Sequence, residues 1–243
     1  KSAINLGKSG NGPLMEIAEL TEYAEAMGSK RVVLWLYFEG NDLRPDLARD
    51  KTSPLLMKYM ENGFSQNLIS RQKEIDQVLR KYIAKAKKAK KAKKEKLLLG
   101  VHQNHRLSKT RWMRLTEVRY ALGFDKVDVD VDPLFAKILT NAKARVESWG
   151  GTLYFIYLPE FARYNNKPVF YSHNKFRKKS EVLNLIKGLD IPVIDIHKEV
   201  FVNHPDPLSL FPFRLSGHYT AKGNAEVAKA IVIGVNKYEQ SNK

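Results

Sequence analysis

Apolar positions along the chain recur in two rhythms, and the two alternate. Residues 31–38, R-V-V-L-W-L-Y-F, are β-branched and aromatic almost throughout. Such a run predicts a strand covered on both faces. Residues 152–158, T-L-Y-F-I-Y-L, predict a second strand stopped by Pro159, and Pro192-Val193-Ile194-Asp195-Ile196 a short last one. Near the start, Ala3-Ile4-Asn5-Leu6 reads as a buried strand leaving through Gly7 into a glycine-rich loop. Between these runs the spacing turns helical. Leu14, Ile17, Ala18, Leu20 and Ala24 follow Pro13, and Leu134, Ile138, Leu139, Ala142 and Val146 follow Pro133 as far as Gly150-Gly151. Further helices are expected over about Lys179 to Lys187 and from Ala221 past Ile233. Strand and helix in alternation imply an α/β fold with a parallel sheet and right-handed crossovers.

The alternation stops after Asp42, and an insertion is expected at about residues 45–130. A proline-containing loop comes first, then a long stretch in which Ile69, Ile75, Val78, Leu79, Tyr82 and Ile83 keep helical spacing. Beyond it the A-K-K repeats lose the apolar face, so that end is expected to be solvated. A second helical or irregular region passes through Trp112, Leu115, Val118 and Leu122. With 243 residues and 43% hydrophobic content, one domain spanning 1–243 accommodates the pattern. No run approaches the ~18 apolar residues of a membrane span. The absence of cysteine excludes disulfides, thiolate metal sites and cysteine nucleophiles.

The net charge of +16 raises an anionic partner, yet eight lysines and one glutamate between Lys85 and Lys96 account for +7 of it. That tract reads either as a solvated helix or as an attachment to anionic lipid or polysaccharide. Lacking aromatic residues, it offers bases no stacking platform, and nucleic acid ranks behind.

Three short motifs carry candidate chemistry. N-L-G-K-S-G-N-G-P, residues 5–13, follows the first predicted strand and puts backbone N–H groups at the C-terminal edge of the sheet, where open α/β sheets bind ligands. Its glycines fit neither phosphate-loop spacing. Gly40-Asn41-Asp42 closes the strand at 31–38; an Asn there is a potential oxyanion donor, although the same three residues are ordinary turn formers. His218 stands in S-G-H-Y-T-A-K-G-N-A-E-V-A, in the loop before the last helix, where it is placed for general base work. His102, His105, His173, His197 and His204 show no comparable placement, and the H-x-x-H at 102–105 lacks a third ligand for a metal.

In order and spacing, N-L-G-K-S-G-N-G-P, then L-W-L-Y-F-E-G-N-D, then S-G-H-Y-T-A-K-G-N-A-E-V-A resemble the second, third and fifth blocks of the SGNH (GDSL-like) hydrolases. The resemblance implies a flavodoxin-like three-layer α/β/α sandwich and hydrolysis of an acyl ester on a carbohydrate, lipid or other small molecule, with no metal or organic cofactor. It makes Gly10 and Asn41 the oxyanion hole and His218 the catalytic base. The nucleophilic Ser of that family sits in a G-D-S block after the first strand. No such block occurs in these 243 residues, so the first strand is missing and the chain reads as an N-terminally truncated fragment whose nucleophile is unknown. Ser9 and Ser216 lie beside matching residues without occupying a nucleophile turn. The family's Asp three residues before the histidine is replaced by Leu215, which leaves a Ser–His dyad or another carboxylate such as Asp206. The same replacement fits a rival reading, a catalytically silent carbohydrate- or surface-binding module. The resemblance alone favours an extracytoplasmic or envelope location.

Overall fold

The structure, a computed structural model, describes residues 3–24, 28, 31–98, 131–165, 172–215 and 217–241; for residues 44, 91–98 and 172–177 it describes the backbone alone. Three parallel strands, β1 (Val32–Phe38), β2 (Thr152–Leu158) and β3 (Val193–Asp195), form one sheet in that order. Val32 stands opposite Thr152 and Phe38 opposite Leu158, while Phe155 of β2 faces Val193 of β3. Leu153 to Tyr157 of the central strand are all buried. That is why β2 reads as an unbroken apolar run: helices pack on both of its faces.

One face is covered by α1 (Pro13–Glu19), α5 (Pro133–Ser148) and α6 (Ser172–Gly188). Leu14, Ile17, Phe135, Ile138, Val182 and Ile186 meet Trp35, Tyr37, Phe155 and Tyr157 there. Pro13 supplies the fixed φ of a first helical turn, and α1 relaxes at Leu20–Ala24 into a wider π-type turn. Asp132 caps α5 by accepting the Leu134 N–H at 2.9 Å. The opposite face is covered by α7 (Ala221–Ser241), with Val227, Phe201 and Phe211 against Tyr154, Ile156 and Ile194. Gly234 permits that approach: a Cβ there would lie 2.7 Å from Ile194 Cδ1. The architecture is mixed α/β on a three-stranded parallel sheet.

Two expectations from the sequence fail at the β1 side of the sheet. β1 is covered on one face only: Trp35 and Tyr37 are buried, whereas Leu34 and Leu36 on the other face are 41% and 47% exposed. Among the described residues α7 is the helix on that face, and it lies over Tyr154 and Ile194. Residues 3–6 form no strand. Ala3, Ile4 and Asn5 are exposed, and the Asn5 side chain accepts the Gly7 N–H at 2.9 Å in a local turn. A strand needs a ladder partner for its backbone, and no described strand lies along the outer edge of β1.

The chain divides into a main unit, residues 1–64 and 126–243, and a second unit, Ser65–Asp125. The main unit includes α2 (Ala48–Asp50) and α3 (Pro54–Lys58). Leu47 and Tyr59, which flank these helices, are in its core, and the Tyr59 hydroxyl donates to Glu22 at 2.7 Å. The second unit contains α4, Gln72–Leu98, a helix of 27 residues into which the A-K-K repeats run without a break. The H-x-x-H at 102–105 and the region from Trp112 to Leu122 lie outside the described residues.

Candidate functional site

The loop before α1 is a tight turn with a specific shape. Asn11 N–H donates to Lys8 O at 3.1 Å, and Gly10, third of the four residues, has φ +82°, as a type II turn requires. Ser9 is exposed on the turn. Two residues on, Gly12 is pressed against the helical segment after β1: a Cβ on it would sit 2.4 Å from Asp50 Oδ2 and 2.9 Å from the Asp46 carbonyl carbon. The glycine-rich loop is therefore built to bring its backbone against residues 46–50.

β1 ends in the Gly40-Asn41-Asp42 turn, which Asp42 fixes by accepting the Phe38 N–H at 2.7 Å. A π-type turn, Asp42–Leu47, then leads into α2. Asn41 Nδ2 donates to Asp46 Oδ2 at 2.5 Å, Arg49 Nη1 donates to Asp46 Oδ1 at 2.8 Å, and Arg49 Nη2 donates to Gly10 O at 2.6 Å. Asn41 and Gly10 are thus joined through one carboxylate and one guanidinium. An amide nitrogen carries two hydrogens, so the bond to Asp46 orients Asn41 and leaves one N–H to offer.

Beneath this pair lies a cluster of acids on α1 and the 42–50 segment. Burial, with Asp42 and Glu19 adding to it, holds the Glu16 carboxyl well above the usual range, and its Oε2 is buried with no hydrogen-bond partner. Asp42 is pushed up to about 8 by burial and by Asp46 and Asp50, against the opposing Phe38 N–H. Asp46 is raised by burial, with Arg49 opposing. Glu16 and Asp42 could not remain charged together when buried, and protons replace counter-charges there, whereas Asp46 keeps Arg49 as its counter-ion. No set of three or more acid or histidine side chains among the described residues is arranged to hold a metal.

A second buried charge ties β1 to β2. Glu39, 8% exposed, accepts from the Tyr157 hydroxyl at 2.6 Å, from Glu160 N–H at 3.1 Å and from both Nε and Nη2 of Arg163. Glu39 N–H donates in turn to Leu158 O at 3.0 Å. Comparison with family models, curated proteins and solved structures finds no match to this chain.

His218 hangs from the same edge. Its neighbour Tyr219 donates its hydroxyl to Pro159 O at 2.5 Å, directly after β2, and packs its ring on Phe201 and Phe211. His218 itself is exposed and makes no hydrogen bond among the described residues. The structure links Gly10 to Asn41 through Arg49 and Asp46. It sets His218 at the end of the adjacent strand, with no hydrogen bond to either. Asp206 makes no hydrogen bond to His218; both its oxygens accept from Arg214 at 2.7 Å. Leu215 is 61% exposed, and Phe213, 92% exposed, and Arg214 adopt left-handed φ of 53° and 57°. Two consecutive side-chain-bearing residues in that region store strain in the loop next to His218. Ser216 lies outside the described residues.

Position along the sequence hid one histidine. His197 follows β3 at the same sheet edge, with Nδ1 2.7 Å from the Tyr164 hydroxyl. Burial, then Lys179 and Arg163, lower its pKa to about 4, so it is neutral at pH 7. The signal was its place directly after a strand, the criterion that singled out Asn41.

Proposed function

We propose that the chain is part of an SGNH-type serine esterase or acyl transferase with a flavodoxin-like three-layer sandwich. The nucleophilic Ser lies outside these 243 residues, on a strand that pairs with the open edge of β1 and brings with it a helix to cover Leu34 and Leu36. The observation that supports the reading is the relay from Asn41 through Asp46 and Arg49 to Gly10 O, which ties a side-chain amide and a glycine turn from two separate loops into one hydrogen-bonded chain.

In this reading the Ser hydroxyl attacks the ester carbonyl and gives its proton to His218. The carbonyl oxygen, now negative, accepts from Gly10 N–H and from the free Asn41 Nδ2–H. Collapse expels the alcohol, which takes the proton back from His218, and leaves an acyl-Ser that water or a second hydroxyl cleaves by the same steps. With Leu215 in place of an acid and Asp206 held by Arg214, His218 acts in a Ser–His dyad. The rival, a silent carbohydrate- or surface-binding module, draws on the exposure of His218 and of Phe213.

Hydrolysis of p-nitrophenyl acetate by the full-length protein discriminates the two. The proposal expects Asn41→Ala to lower kcat by on the order of 10²–10³ and His218→Ala by on the order of 10²–10⁴, with KM little changed. Folded variants as active as the wild type would refute the site, and an inactive parent that binds glycans would favour the binding module.

A further inference from the structure

The lysine tract is part of α4, and the helix that bears it is amphipathic. From Gln72 to Leu98 it spans roughly 40 Å at the usual rise per residue. Ile75, Val78, Leu79, Tyr82 and Ile83 follow i, i+3, i+4, i+7, i+8 spacing and so form one stripe, which dwindles to Ala86 and Ala89 and ends within the A-K-K repeats. Yet Val78, Leu79, Tyr82 and Ile83 are 45–67% exposed. The same helix carries eleven lysines and arginines against three acids. Two of those acids, Glu74 and Asp76, lie in its N-terminal part, where Arg71 pairs with Glu74 and Gln72 with Asp76. Arg80, Lys81, Lys85, Lys87, Lys88 and Lys90 are all exposed.

We infer that α4 is a membrane-docking helix which lies in the surface of an anionic bilayer, with its apolar stripe among the acyl chains and its lysines among the phosphates. Charge and apolarity together select this occupant. A second copy of the helix would bring the same dense positive charge against itself. A soluble polyanion such as an acidic polysaccharide would satisfy the lysines but leave the stripe in water. A neutral bilayer would take the stripe alone. An anionic bilayer meets both requirements, and long lysine stems let the ammonium groups reach the headgroups while the stripe is immersed. The orientation needs no spanning segment, and no helix among the described residues is long and apolar enough to be one.

Co-sedimentation of the full chain with vesicles tests the inference. Vesicles of about three parts phosphatidylcholine to one part phosphatidylglycerol are compared with phosphatidylcholine alone. Two variants leave the fold untouched because every altered side chain is exposed: Leu79→Gln with Tyr82→Gln, and Lys85→Gln with Lys87→Gln, Lys88→Gln and Lys90→Gln. Each is expected to weaken partitioning to the anionic vesicles at least about tenfold. A Tyr82→Trp variant should shift its emission to the blue on adding those vesicles, and brominated lipid should quench it. Unchanged binding of the Leu79/Tyr82 variant, or full displacement by a soluble acidic polysaccharide at equal charge, would overturn the membrane assignment in favour of a polyanion. Absence of vesicle binding would overturn it outright.

Discussion

Asp42 is the buried acid that fixes the turn bearing Asn41. Its carboxyl is raised to about 8 in the folded protein against 3.8 for an ordinary aspartate, so the folded state holds a proton that the unfolded state has released. Stability from this group is complete below pH about 4 and is lost as pH rises towards 8; Glu16, raised for the same cause, acts in the same direction. His197 acts oppositely, since its depressed pKa favours folding as pH rises to 6.5, and above that it contributes no slope. Between pH 6.5 and 8, urea midpoints should therefore fall, with a slope approaching ~1.4 kcal/mol per pH unit for one such carboxyl. Asp42→Asn, which keeps an oxygen for the Phe38 N–H, should flatten the profile; a slope that persists in the variant would assign it elsewhere. None of this was readable from the sequence, where Asp42 counts only as a turn former. Its burial depends on α1, thirty residues earlier, lying across the 42–50 segment.

The elements that were legible are those whose residues decide their own structure. β1, β2 and α5 fall within a residue or two of their sequence boundaries because their apolar periods are long and their ends are marked by Pro133, Gly150 and Pro159. Residues 3–6 read as a strand and form none, because a four-residue apolar run becomes a strand only if a neighbour supplies hydrogen bonds. Glu39 was passed over for the opposite reason: a lone acid after a strand gains its meaning from Tyr157, Glu160 and Arg163, more than a hundred residues away. At this scale Glu39→Ala takes a buried carboxylate from the Tyr157 hydroxyl and from the half-buried Arg163 guanidinium, which join the ends of β1 and β2. Loss of ~3–5 kcal/mol in urea unfolding is expected. A loss below about 1 kcal/mol, the range of an exposed pair, would show that the two strand ends are held by the sheet ladder alone.

Across the whole molecule, the arrangement is consistent with a sheet built for further elements. Among the described strands β1 pairs on one edge only, Leu34 and Leu36 are open to solvent, and residues 3–6 form no strand. Motif order along the sequence singles out Gly10, Asn41 and His218, and the contacts add the relay through Asp46 and Arg49 that links the first two; their roles and the nucleophile belong together to the proposal. Labelling of the full-length protein with a fluorophosphonate, followed by peptide mass spectrometry, tests it most directly. One modified serine is expected, in a G-D-S sequence outside these 243 residues, and its labelling should be lost in His218→Ala. A label on Ser9 or Ser216, or labelling indifferent to His218, would contradict it.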